Sequence, residues 1–194
     1  MFGRLRSKFK RTSYKYPDKV YISRSKLKGN EGQILAEEIL EASLVKEGYV
    51  VIHPQELNVK EQLFYYANAD KLIFADGSAF HLYVLVANEN QNSFIVWRRK
   101  KHFDFDMQLR SFIGKLTYGE PCLLGYYTPE KEQHNSARHK AKLDYQALKH
   151  QMIEYDFIDG KTWIMPTDSD YSEEIHVIEK RLRKKLVYIE YTAL

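Results

Sequence analysis

Short apolar runs that alternate with helix-like segments constrain the fold of this 194-residue chain more than any other feature. Each run is rich in β-branched and aromatic residues, as expected of a buried strand. Strand–helix alternation at this spacing is typical of right-handed βαβ units, and near-continuous apolar strands are typical of a sheet covered on both faces. The sequence therefore predicts an α/β fold, an open parallel sheet with helices on both faces. The predicted strands are Lys19–Ser23, Tyr49–His53, Lys71–Ala75 and Phe94–Trp97.

Helix-capping residues mark where the intervening helices begin and end. Asn30, followed by Glu31, predicts the start of a first helix that runs to about Glu47 and stops at Gly48. Asn58 and Glu61 have the spacing of a capping box, which predicts a second helix. A third helix is predicted over Ser78–Ala87, directly after the third strand.

Length and charge limit the overall organisation. We expect a basic leader over residues 1–18, a core over 19–128 and a helical extension over 129–194 that packs on the core. The last helix of this extension is predicted to start near Ser172. No apolar run reaches the roughly 20 residues that a membrane span needs, so a cytoplasmic protein is expected.

The net charge of +4 is concentrated at the N-terminus, where seven Lys and Arg residues precede residue 20 against Asp18 alone. Phe2, Leu5 and Phe9 lie among these bases at helical spacing. Two interpretations remain open: a disordered basic leader, or an amphipathic segment, Met1–Arg11, that rests on the anionic inner face of a membrane. Nucleic-acid binding is not expected, because the rest of the chain is close to neutral.

Polar segments follow three of the predicted strands. Ser23–Lys26 follows the first strand, Asp76–Ser78 the third and Arg98–Lys100 the fourth. Because ligands of open α/β sheets bind beyond the carboxyl ends of the strands, these segments predict a diphosphate site. Arg24 would bind phosphate oxygens as a fork and Lys26 as a point charge, while the turn at Gly77-Ser78 would offer backbone N–H groups.

Several common sites are not indicated. The glycine-rich fingerprints of dinucleotide dehydrogenases and P-loop NTPases are absent. Three histidines and Asp144 fall in the C-terminal third, but no H-E-x-x-H is present, and His139 and His150 would lie about three helical turns apart. We therefore expect solvated histidines, no metal site and no cofactor. The histidines are His134, His139 and His150.

An ordered set of short motifs between residues 19 and 99 resembles the C-terminal half of a glycosyltransferase family 61 protein, the DUF563 type found in capsular and lipopolysaccharide gene clusters. The longest of these motifs is Ala69–His81, which contains Asp-Gly-Ser-Ala followed by Phe-His. The other matching segments are Val20–Arg24, Asn30-Glu31, Gly48–Leu57 and Glu61-Gln62.

The resemblance implies a Rossmann-like domain of a GT-B glycosyltransferase, which would bind a nucleotide-sugar donor and transfer the sugar to a glycan acceptor without a metal. The implied catalytic candidates are Asp76 and His81. The implied ligands of the donor phosphates are Arg24, Lys26, Gly77 and Ser78. The implied ligands of the donor nucleotide or sugar are Ser23, Asn30, Glu31 and Gln62.

The resemblance also implies a preceding half of similar size that carries the acceptor site, whereas only about 18 residues precede the first predicted strand. We expect that half to be missing or to come from another chain, through a homo- or hetero-oligomer. The alternative function is a non-catalytic, Rossmann-like subunit that docks onto a partner transferase or a membrane surface.

Overall fold

The structure is a computed structural model that describes residues 8–9, 16–27, 30–99, 107, 111 and 118–191. The predicted leader segment Met1–Arg11 therefore lies almost wholly outside the described residues. The strands are β1 (Lys19–Ile22), β2 (Gln33–Ile34), β3 (Val50–Ile52), β4 (Lys71–Ala75), β5 (Asn92–Val96), β6 (Leu123–Thr128), β7 (Lys140–Leu143) and β8 (Val187–Glu190). The α-helices are α1 (Glu37–Lys46), α2 (Val59–Asn68), α3 (Ala79–Tyr83), α4 (Tyr145–Glu154) and α5 (Asp168–Leu182).

The first sheet confirms the predicted α/β fold. Its four strands lie in the order β3-β1-β4-β5 and are all parallel. The chain leaves β1 for its neighbour β3 on one side and then returns to β4 on the other side. The strand order thus reverses between β1 and β4, the place where open α/β sheets bind their ligands. This is a Rossmann-like open sheet.

A second, mixed sheet has the order β2-β7-β6-β8, so it combines one N-terminal strand with the three C-terminal strands. The central strands β6 and β7 are antiparallel, and β6 is also antiparallel to β8. Residues 129–194, predicted to be a helical extension, therefore contain two strands as well as α4 and α5. The last helix also begins earlier than predicted, because Thr167 and Asp170 form a capping box ahead of it and Ser172 lies inside it.

The predicted start of the first helix is wrong. Gln33 and Ile34 instead form β2, which pairs in parallel with Lys140 and Ala141 of β7. Helix α1 begins only after Ala36, whose backbone adopts a left-handed conformation with φ of 60°. Asn30 and Glu31 are residues that favour a helix start. The helix does not form there because the following residues pair with a strand more than 100 residues away along the chain.

Alternate residues of the first sheet face two different hydrophobic clusters, as strand geometry requires. One cluster lies under α2 and α3 and includes Ile22, Phe74 and Tyr83. The other includes Tyr21 and Phe94 and continues through α1 into the second sheet and α4. The two sheets therefore share one of their cores.

The capping box that predicted α2 is present, with Asn58 accepting from the Glu61 N–H and the Glu61 carboxylate accepting from the Asn58 N–H. The third helix, predicted to reach Ala87, is shorter and ends at Tyr83. Among the described residues, none of the helices combines the length and the apolar character needed to cross a bilayer.

Candidate functional site

A cavity of about 350 Å³ opens at the carboxyl ends of β1 and β4, where the strand order reverses. Five of the predicted site residues line it, together with the turn that follows β3. These five residues are Ser23, Arg24, Gln62, Gly77 and Ser78. The loops after three neighbouring strands thus converge on one cleft, as the sheet topology requires.

Arg24 is held firmly at one wall of this cavity. Its backbone N–H donates to Glu37 Oε1 at 2.8 Å, and its Nη2 donates to the carbonyl of Gly32 at 3.3 Å. Its guanidinium group packs so closely against Gly77 that a methyl group on that residue would collide with Nη1. A larger residue at position 77 would therefore force the Arg24 guanidinium group to move.

A buried carboxyl group lies behind the Arg24 loop. Glu37, only 2% exposed, accepts at Oε1 from the Tyr21 hydroxyl at 2.8 Å as well as from Arg24 N. Ser23 Oγ lies 2.9 Å from Glu37 Oε1 and 2.5 Å from Glu41 Oε1, and its single proton serves one of them at a time. Burial raises the pKa of Glu37 to about 7, so a proton on this carboxyl group can complete the network.

Neither Glu37 nor Glu41 was identified from the sequence. The two glutamates lie four residues apart on one face of α1, while Tyr21 of β1 and Ser23, the residue directly after β1, lie two residues apart. Each spacing puts its two side chains on one side of their element, so the two pairs can face each other. This was the available sequence signal for the network. The signal becomes informative only when α1 is known to pack against β1. The predicted helix start near Asn30 was wrong and did not indicate that packing.

Asp76 is fully buried at the end of β4 and is bound by an arginine fork. Arg99 Nε and Nη2 donate to its two carboxylate oxygens at 2.8 Å and 3.1 Å. Arg98 Nε donates to the Asp76 backbone carbonyl at 3.2 Å. Burial lowers the pKa of Arg98 to about 10, against the opposing effect of Asp76, so Arg98 remains cationic at neutral pH.

Asp76 does not line the cavity, and neither do the other four predicted site residues. Lys26 is exposed and forms an ion pair with Glu56 at 3.2 Å. His81 is exposed on α3. Asn30 contacts Glu132, and the carbonyl of Glu31 accepts from the buried Lys140 ammonium.

Gln62 has a clear structural role at the cavity wall. Its side-chain amide donates to the carbonyls of Pro54 and Leu57 at 2.9 Å and 3.1 Å. These bonds tie α2 to the turn after β3, which forms part of the cavity lining.

No cluster of three or more potential metal-ligating side chains occurs in the described part of the chain. Of the three histidines considered above, His139 stacks on Tyr126 and its Nε2 atom lies 3.0 Å from the Gln133 carbonyl. His150 contacts Gln146. These contacts tie both side chains to protein partners.

The cavity and its arginine loop lie within the part of the chain that comparison with protein families recognises. Residues 1–92 match the glycosyltransferase 61 family. This match confirms the family resemblance indicated by the sequence motifs. A comparison with curated proteins finds no match.

The glycosyltransferase 61 match ends at Asn92, the first residue of β5. It therefore includes β1 to β4 with all the residues that line the cavity, and it leaves out the rest of β5 and the three C-terminal strands of the second sheet. That the matched segment corresponds to the C-terminal half of a family member stays a prediction.

Proposed function

We propose that this protein is a glycosyltransferase, or the donor-binding domain of one, that takes a nucleotide-sugar and serves a surface polysaccharide acceptor. The observation that carries the proposal is the convergence of Arg24, Gly77 and Ser78 on one cavity at the switch point of the parallel sheet. The glycosyltransferase 61 match over the same residues supports the choice of chemistry.

Arg24 is proposed to neutralise the leaving diphosphate. Its guanidinium group is fixed by Gly32 and by the close approach to Gly77, so little reorganisation is needed when negative charge develops. Within the described residues, its buried Nε–H has no hydrogen-bond partner. Ser78, exposed at the cavity, would add a hydroxyl donor.

The two catalytic candidates are proposed to have different roles. Both oxygens of Asp76 are already bonded to Arg99, which favours a positioning role for this carboxylate over removal of a proton from the acceptor hydroxyl. His81 is exposed on α3, and histidine is the side chain that acts most often as a general base. We therefore propose His81 as the candidate base.

The direct test is calorimetry with a panel of UDP-, GDP- and CMP-sugars. At least one of them should bind the wild-type protein, and Arg24→Ala should weaken that binding by roughly 100-fold, the value of a charge-assisted fork. Lys26→Ala should have a much smaller effect, because Lys26 already pairs with Glu56. Lys46→Ala, an exposed change on α1, is the matched control. Failure of every sugar nucleotide to bind folded protein would reject the proposal.

Gly77→Ala gives a sharper test, because its effect should depend on Arg24. In the wild-type background the new methyl group displaces the guanidinium group, and binding should fall at least about 10-fold. In the Arg24→Ala background the obstruction is gone, and the same change should have little further effect. Equal effects in both backgrounds would show that the two residues do not act together.

The buried ion pair of Asp76 also favours a second candidate, a donor-binding subunit that depends on a partner for transfer. The two candidates differ in one measurement. A complete transferase should release nucleoside diphosphate from the bound donor when an acceptor is supplied, and His81→Ala should abolish that release without changing donor affinity. A binding subunit would hold the donor and release nothing.

A further inference from the structure

Charge is strongly segregated along α5 and the residues that follow it. The first two turns carry only acidic charges, and the last turn and its continuation are mainly basic. The acidic residues are Asp168, Asp170, Glu173 and Glu174, and the basic residues are Lys180, Arg181, Arg183, Lys184 and Lys185. This order complements the helix dipole, which favours acids at the N-terminus and bases at the C-terminus.

Most of these charges already have partners within the chain. Glu174 accepts from the N–H of Ala36, while Lys184 pairs with Glu132 and Lys185 with Glu179. Of the exposed charges of the helix that have no ion-pair partner among the described residues, two lie nearest its centre. They are Glu173, which contacts only the Ser169 hydroxyl, and Lys180.

These two charges flank an exposed apolar residue on one helix face. Glu173, Val177 and Lys180 lie at positions i, i+4 and i+7, so they form a single stripe about 10 Å long. Val177 is 60% exposed, the most exposed large apolar side chain that the structure describes. The opposite face of α5, with Tyr171 and Ile178, is buried.

Two cavities of similar size border the ends of this stripe. One, of about 380 Å³, lies at its acidic end between α5 and the start of α1, and Glu38, Glu173 and Val177 are among its lining residues. The other, of about 370 Å³, lies at the basic end and is lined by residues 176–185, including Lys180 and Lys184. Each end of α5 thus offers a concave surface with a charge opposite to that of the other end.

We propose that two copies of this chain pair through α5, with the helices antiparallel about a two-fold axis between His176 and Val177. In that arrangement Glu173 of each copy faces Lys180 of the other, since the two positions lie equally far from the axis. Val177 of each copy lies against the axis, where burial removes its apolar surface from water. A parallel pairing would instead place acid against acid and base against base.

The partner that fits this surface is a second copy of the chain, because the charges of the stripe are complementary to those of the same stripe turned by 180°. A two-fold interface requires this self-complementarity. A helix of 15 residues is about 22 Å long, so the contact is at the small end of specific interfaces. Its central ion pairs are exposed to solvent and are therefore screened by salt. The dimer should be weak, dependent on protein concentration and less stable at high ionic strength.

The test is sedimentation of the full chain from about 1 μM to about 1 mM, the range that covers weak association. Wild-type protein should show a monomer–dimer equilibrium that shifts toward monomer as salt is raised. The variants E173K and K180E should each dimerise at least about 10-fold more weakly, because both symmetry-related ion pairs become repulsive. An equimolar mixture of the two variants should recover dimer, since each chain then carries the charges that the other needs.

The control is E154K, which makes the same change of charge at an exposed position on α4. It should leave the wild-type equilibrium within about twofold. Three results would overturn the proposal: wild-type protein that is monomeric throughout the range, an E173K variant that dimerises as tightly as wild type, or a mixture of E173K and K180E that stays monomeric. Circular dichroism of each variant separates loss of dimer from loss of fold.

Discussion

At the scale of single residues, the most consequential side chain is one that does not line the cavity. Glu37 accepts from the backbone of Arg24 and from Tyr21, and Ser23 links it to Glu41. The charged groups that interact with it are Glu41 on its own helix and Arg98 after β5. The position of the Arg24 loop is therefore coupled to the protonation state of a buried acid.

This coupling predicts a change of stability with pH. Burial raises the pKa of Glu37 from 4.5 in the unfolded chain to about 7 in the folded protein. Between these two values the folded state keeps the proton and the unfolded state does not, so the free energy of unfolding falls as the pH rises. The contribution is fully present below pH 4.5 and is lost by about pH 7, a change of roughly 3 kcal/mol.

Glu37→Gln removes this titration, so its free energy of unfolding should fall less than that of wild type between pH 4.5 and 8. Urea denaturation at a series of pH values measures the difference. Glu38→Gln, a change at the exposed neighbouring residue, is the control and should keep the wild-type slope. Parallel slopes for wild type and Glu37→Gln would contradict a raised pKa for this group.

At the scale of secondary structure, α1 and α2 show what local sequence can specify. Both were predicted from cap residues, and only α2 begins where its cap lies. Its capping box uses atoms no more than three residues apart, so the information is local. The start of α1 depends on Gln33 and Ile34 joining β7, and nothing near residue 33 indicates that partner.

The cap of α2 carries its own prediction. Asn58→Ala should lower the free energy of unfolding by about 1 kcal/mol, because the N–H of Glu61 loses its acceptor. Asn58→Asp, which keeps an acceptor oxygen and adds a charge that the helix N-terminus favours, should be close to wild type. Chemical denaturation measures both. A neutral Asn58→Ala change would mean that tertiary packing alone fixes the start of α2.

In the candidate site, too, some residues could be predicted from the sequence and others could not. Arg24, Gly77 and Ser78 were found because each follows a predicted strand, and parallel strands bring their carboxyl ends to one edge. The partners of the charged residues Lys26 and Asp76 could not be predicted in this way. Lys26 is directed to Glu56, and Asp76 is enclosed by Arg99, and both outcomes depend on loop geometry that no short motif encodes.

At the scale of the whole molecule, the two sheets share a core. Phe157, which follows α4, packs against Phe94 of β5 with ring centroids 5.3 Å apart, and its carbonyl accepts from the Tyr49 hydroxyl at 2.9 Å. A core that crosses between the sheets should make unfolding cooperative, even though the family match covers only residues 1–92.

Phe157→Ala should therefore lower the stability of both sheets together, by about 3–5 kcal/mol. The two tryptophans allow the test, because Trp97 lies in the cluster under α3 and Trp163 packs against the shared core. In the variants Trp163→Phe and Trp97→Phe, the remaining fluorescence follows one region at a time. Both should report one transition, shifted equally by Phe157→Ala. Separate transitions would mean that the sheets unfold as independent units.

The pairing of β2 with β7 also sets an order of events during synthesis. Gln33 and Ile34 leave the ribosome more than 100 residues before Lys140 and Ala141, which are their strand partners. Until then β2 has no strand partner, and the side of the shared core that α4 covers in the whole chain is open. Loop closure over this span is slow. We expect a nascent chain that has reached only the end of the family match to expose apolar surface that the C-terminal residues bury in the whole chain, and to be prone to aggregation at that stage.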